Sequence, residues 1–156
     1  MSIRCGEKYE EHGGPGLERI ADLVRRLGVP AKDMEFLLRA LLLNFLIANA
    51  DAHAKNFSLF HRIGGRREMT PLYDLVSTEL FTDIARELAM FFGGQADPYA
   101  LTRGDLERAA ADLKVRPSFL AVRARELATA IIPAAQALRQ EELFRGRGKL
   151  ILDAIR

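Results

Sequence analysis

The feature that most limits how this chain can fold is a run of apolar side chains between Lys32 and Asn49. Met34, Phe36, Leu37, Leu38, Leu41, Leu42, Leu43, Phe45, Leu46 and Ile47 fall on nearly every face of a helix. A helix that is apolar all round has no solvent side, so it belongs at the centre of a domain with other elements wrapped around it. The run stops abruptly. Within six residues come Asp51, His53, Lys55 and Asn56, four polar, chemically capable side chains at the end of a buried element.

The flanking pattern is mostly helical. Leu17, Ile20, Ala21, Val24 and Leu27 recur at helical spacing after the breaker cluster Gly13 to Gly16, and Gly28 and Pro30 end that helix. The segments "FSLFHRI" and "REMTPLY" flank Gly64 and Gly65, a hairpin signature. Thr102 with Asp105 three residues on forms a capping box that opens a helix to about Leu113. Pro117 starts a long helix through "LAVRARELATAII", with a kink expected at Pro133. A short helix from Lys149 to Ile155 closes the chain. The stretch from Met90 to Gly94 reads equally as helix or strand. The fold class expected is mainly α: one helical domain over residues 1–156 carrying a single small β-hairpin.

Composition narrows the function. With 49% hydrophobic and 28% charged residues in 156, the chain is an ordinary globular protein with enough length for a real core. Its 23 basic residues against 21 acidic ones leave a formal charge of +2, which gives no electrostatic footprint for nucleic acid or membrane. Cys5 is the only cysteine, so no internal disulfide forms, and a reducing compartment fits. No apolar signal region opens the sequence, and Arg39 and Asn44 interrupt the longest apolar stretch. The expected location is the cytoplasm.

The polar cluster has a chemical reading. Asp51 follows the central helix, Asn56 comes five residues later before the first hairpin strand, and Asp74 follows the second strand. A tight hairpin brings its ends together, so Asn56 and the Asp74 segment should be neighbours. An acid, an amide and a second acid on one point supply hard oxygen ligands for Mg²⁺ with one carboxylate to spare. Phosphoryl transfer needs that set: the metal neutralises phosphate charge while a separate carboxylate positions the accepting hydroxyl. Protein kinases have the same order and spacing. Each residue alone also has a structural reading, Asp51 as a helix terminator and Asn56 as a cap. His61 reads as a surface residue on a hairpin strand and His12 as a loop residue. "GGPG" reads as a linker, although such a cluster can also form an anion-binding nest.

The text around these residues carries a resemblance. "NADAHAKNFSLF" followed by "MTPLYDLVST" resembles the C-terminal lobe of HipA-like serine/threonine kinases, the toxin kinases of bacterial toxin–antitoxin pairs, as do "KYEEHGGPG" and "LAMFFGG". The resemblance implies that Asp51 is the catalytic base, that Asn56 and Asp74 bind Mg²⁺, and that ATP is the phosphate donor. It places His53 and Lys55 in the same loop, as candidate nucleotide-binding residues. By resemblance the substrate is a protein of the translation machinery and the partner an antitoxin. No G-x-G-x-x-G loop or V-A-I-K-like strand is present, and Lys8 is not assigned the phosphate-binding role. The expectation is a catalytic lobe without its nucleotide-binding N-lobe, whether by natural truncation, as half of a split kinase, or as an excised fragment. A second N-lobe chain is therefore an expected partner.

Two rivals differ in class. "DAH" after an apolar segment also opens the first metal motif of metallophosphoesterases, but a dinuclear site needs more than the three histidines present. The other is a catalytically silent kinase-lobe module that binds an antitoxin or a partner lobe. Nucleotide binding or phosphate transfer discriminates it from the enzyme.

Overall fold

The computed structural model describes residues 8–81, 83 and 85–138. Its order is α1 (Leu17–Arg26), α2 (Ala31–Leu46), β1 (Leu59–His61), β2 (Arg67–Met69), α3 (Arg103–Asp112) and α4 (Pro117–Leu138). Single 3-10 turns occupy Glu10–His12, Ala54–Asn56 and Thr78–Leu80. Among the described residues, helices and one antiparallel hairpin make up the fold, as the pattern requires. Cys5 and the helix expected at Lys149 to Ile155 lie outside the described residues.

Helix α2 lies at the middle, against α1, α4 and β2. Leu37, Leu38, Leu41 and Leu42 are buried in one cluster with Ile20, Val24, Leu113 and Leu120. Each fully buried leucine contributes roughly 2 kcal/mol of apolar transfer energy. The helix is not covered on every side, because Phe36 on its outer face remains exposed. Helix α3 opens with the capping box expected of Thr102 and Asp105. Pro117 heads α4, and the helix continues unbroken through Pro133.

Two helix ends show how one geometry arises from different residues. Gly28 ends α1 in the left-handed region at φ 67°, which glycine enters without steric penalty. Helix α2 ends three residues before the expected Asn49, and Ala48 takes the corresponding place at φ 50°. The Ala48 N–H donates to the Phe45 carbonyl at 3.0 Å and the Asn49 N–H to the Asn44 carbonyl at 2.9 Å, the paired bonds of a Schellman end. No sequence rule for glycine stops would find it there.

The hairpin is shorter than the alternating text. Leu59 pairs with Met69, Phe60 with Glu68 and His61 with Arg67, and His61 is exposed. Beyond the strands the ends stay together, since the Thr70 N–H donates to the Ser58 carbonyl at 3.0 Å. Residues 90–94 are neither helix nor full strand: Phe92 and Gln95 form an isolated bridge around Gly93 and Gly94.

Candidate active site

The turn after α2 and the chain leaving the hairpin meet. The Asn56 Nδ2 donates to Asp74 Oδ2 at 2.5 Å, so residues 18 apart in sequence are side-chain neighbours. Asn56 is buried at 7% exposure and its Oδ1 accepts the His53 N–H at 2.9 Å, which fixes the amide plane. Asp74 is exposed and takes a left-handed φ of 59°. Tyr73 beside it donates its hydroxyl to the Lys55 carbonyl at 2.6 Å, tying the chain after the hairpin to the loop before it. The Lys55 side chain points to solvent.

Asp51 has partners of its own. Lys8 Nζ lies 3.0 Å from Asp51 Oδ1, and the Tyr9 hydroxyl donates to the same oxygen at 2.7 Å. Oδ2 receives none of the hydrogen bonds among the described residues. Burial pulls the Asp51 pKa up, but the hydrogen bonds from Tyr9 and Lys8, with the charges of Lys8 and His53, outweigh it. The net result is a carboxyl held below its ordinary range, ionised at neutral pH. Hydrogen bonds to Tyr9 and Asp51 hold the Lys8 ammonium above its usual value. Asp51 opens onto a cavity of about 430 Å³ whose wall includes Tyr9, His12, Asp83, Glu87 and Leu88. The His53 ring packs on Tyr9 with centroids 6.2 Å apart.

Of the expected residues, then, Asn56 and Asp74 come together, His53 links Asn56 to Tyr9, and Asp51 is bonded to Lys8 and Tyr9. Lys8 and Tyr9 were not legible as site residues, because no local pattern ties them to a loop over forty positions away. His12 lies in a 3-10 turn on the cavity wall rather than in an open loop. "GGPG" does more than link: a Cβ at Gly16 would run into the Glu10 carboxylate, so the anion at the start of α1 is the chain's own. Glu10 also accepts the Phe91 N–H at 2.7 Å.

The donor chemistry of Asn56 and Asp74 fits Mg²⁺. Both carry hard oxygens, and Oδ1 of Asn56 has a second lone pair beyond the one taken by His53. The Asp74 carboxylate is open to solvent, as suits an ion that keeps several of its waters. Among the described residues no group of three or more His, Cys, Asp or Glu could hold a metal, so a dinuclear hydrolase site has no support there.

A central helix, an acid–amide turn, a hairpin and a second acid in this order define the larger lobe of a protein-kinase-like fold. The chain belongs to the HipA-like C-terminal domain family, whose model matches residues 1–138. It is 42% identical over 87 residues to the putative kinase Y4mE of Sinorhizobium fredii, covering 55% of this chain and 20% of that one. It is 34% identical over 112 residues to the serine/threonine-protein kinase toxin HipA of Shewanella oneidensis, covering 65% and 26%. Among solved structures, HipA of Shewanella oneidensis in complex with HipB and operator DNA matches with a TM-score of 0.82 at 26% identity, over 97% of this chain and 38% of that one. The chain thus spans well under half the length of these relatives.

Proposed function

We propose that this chain is the catalytic lobe of a HipA-like, Mg-ATP-dependent serine/threonine protein kinase, the toxin component of a toxin–antitoxin pair. The observation that carries the proposal is the 2.5 Å contact between Asn56 Nδ2 and Asp74 Oδ2, which makes the amide and the carboxylate side-chain neighbours, as a shared Mg²⁺ site requires. When bound there, the metal would offset the charge of the ATP phosphates.

The rest of the chemistry falls to this chain's own side chains. Asp51 Oδ1 is occupied by Lys8 and Tyr9, so the carboxylate cannot rotate freely, and Oδ2 is left to accept the hydrogen of a serine or threonine hydroxyl. Because Asp51 is held below its ordinary pKa, it remains a carboxylate at neutral pH, able to orient that hydroxyl and take its proton as transfer proceeds. The Lys8 ammonium, 3.0 Å from Asp51, brings positive charge to the edge of the transfer zone. The cavity beside Asp51 receives the acceptor segment.

Relatives supply the finer reading. Because the solved HipA is bound to HipB, an antitoxin protein is the proposed partner; a protein of the translation machinery is the proposed substrate on the sequence resemblance alone. An N-lobe, on this or another chain, would cover the nucleotide and complete the site. No helix among the described residues is long and apolar enough to cross a membrane, and the proposed location is the cytoplasm. One observation favours the silent-module reading as an alternative: Tyr73, Leu75, Val76 and Phe81, on either side of Asp74 in sequence, are large apolar side chains left exposed.

The test separates roles within an assembled, active kinase. Asp51→Asn should abolish turnover while leaving Mg-ATP binding largely intact, since the base acts on the acceptor. Asp74→Asn should weaken metal-dependent nucleotide binding as well. Equal loss of nucleotide affinity in both variants would show that the roles are assigned wrongly.

A further inference from the structure

Two amides are buried where α2 ends, Asn44 at 6% exposure and Asn49 at 1%, next to Leu17, Leu41 and Met90. Buried amides are costly unless their hydrogen bonds are made, so where these bonds go is informative. Asn44 Nδ2 returns to the Ala40 carbonyl at 2.9 Å, one turn back on its own helix. Asn49 Nδ2 donates twice: to Asn44 Oδ1 at 2.7 Å and to the backbone carbonyl of Asp74 at 3.0 Å.

Closing the helix does not require this. The backbone bonds of Ile47, Ala48 and Asn49 already satisfy the Leu43, Phe45 and Asn44 carbonyls of the last turn. What the side-chain pair adds is a bond to a residue 25 positions downstream, at the one point of that segment with a left-handed backbone. The other end of the same segment is held by Ala48 and Ala50, the neighbours of Asn49 on either side. Thr78 Oγ1 donates to the Ala48 carbonyl at 2.8 Å and accepts the Ala50 N–H at 3.0 Å. Residues 48–50 thus grip 74–78 at both ends, and Asp51 follows immediately in the chain.

We propose that Asn49, braced by Asn44, is a positioning residue for Asp74: it holds the Asp74 backbone in the left-handed state that turns its carboxylate onto Asn56. This rests on the reading of Asn56 and Asp74 as metal ligands. It gives the two acids a common mount, because Asn49 is two residues before Asp51 and bonded to Asp74. Groups that orient a metal ligand from behind act on metal affinity rather than on folding alone.

The test is a Mn²⁺ titration in the presence of ATP, followed by the electron paramagnetic resonance of free Mn²⁺, with folding checked by circular dichroism. Asn49→Ala should raise the half-saturating Mn²⁺ concentration by about ten- to a hundredfold in protein that is still folded. Should Asn49→Ala not fold, Thr78→Val, which frees the other end of 74–78 with a side chain of similar shape, should raise the midpoint as well. A lowered melting temperature with an unmoved midpoint in either variant would overturn the proposal and leave an ordinary helix cap. Asp74→Asn is the separate control. If wild type binds no Mn²⁺-ATP, or Asp74→Asn binds it equally well, the metal-site reading falls and this inference falls with it.

Discussion

The loop that lines the Asp51 cavity is wedged against α3 by a residue without a side chain, and Gly93→Ala should expose how tightly. Gly93 sits at φ 61°, where alanine is disfavoured by about 1 kcal/mol. A Cβ there would also lie 2.7 Å from the Asp105 carbonyl carbon and 2.9 Å from the Ala109 nitrogen, and closer still to the Asp105 oxygen. These are backbone atoms of a packed helix, so no rotamer change relieves the contact. Overpacking of this kind costs typically about 1–3 kcal/mol. Together the two terms give about 3 kcal/mol, which for a domain of this size lowers the melting temperature by about 6–12 °C. The loop cannot simply step aside, because the Arg108 Nε donates to the Gly93 carbonyl at 2.8 Å and the Ala89 N–H to the Ala50 carbonyl at 2.8 Å. Gly64→Ala is the comparison: its φ of 88° carries the same kind of strain but open space surrounds it. Thermal unfolding by circular dichroism should show a drop for Gly93→Ala well beyond that for Gly64→Ala. Equal drops, or a Gly93→Ala protein melting with wild type, would refute the close packing of this loop on α3.

Other outcomes concern the acids. Tyr9→Phe removes one of the two donors on Asp51 Oδ1 and keeps the ring against His53; the Asp51 pKa should rise, moving the acidic limb of the rate–pH profile of the active kinase to higher pH. An unmoved limb would show that the hydroxyl does not tune Asp51. Burial raises the Glu10 pKa, the Phe91 N–H opposes this and the Asp112 charge adds to it, for a net upward shift. An acid raised by folding weakens the native state fully above its folded pKa, and the penalty fades as pH falls through that value. Glu10→Gln, which keeps an acceptor for Phe91, should therefore raise the melting temperature at pH 7, with a gain that shrinks toward the ordinary glutamate range; a gain constant with pH would contradict this.

Much of this was legible in the sequence, for reasons visible at particular residues. The apolar run around Leu37 to Leu42 marks a central helix by periodicity alone, Thr102 and Asp105 mark a helix start, and Gly64 with Gly65 mark a turn. The pairing of Asn56 with Asp74 follows because a hairpin closes its own ends. What could not be read depends on contacts distant in sequence or on residues in unusual conformations. Ala48 ends α2 in a conformation associated with glycine, so the helix looks three residues longer than it is. Lys8 and Tyr9 reach Asp51 across more than forty positions, so no local pattern marks them as its partners. Asn49 reads as one more residue of the helix, although its side chain bonds to the Asp74 backbone.

The measurement that bears most directly on the proposed site is calorimetry of ATP binding to this chain alone, with and without Mg²⁺, alongside radiolabelled phosphate transfer. On the proposed reading this chain contributes metal ligands and a base, so a nucleotide bound to it alone would have one wall and an open, wet face, where water screens the charge interactions. The expected result is weak ATP binding that requires Mg²⁺ and is lost in Asp74→Asn, no appreciable phosphorylation of itself or a model protein, and a rise in both on adding a cognate N-lobe. ATP binding indifferent to Mg²⁺ and to Asp74 would contradict the metal site, and robust turnover by the chain alone would contradict the half-site.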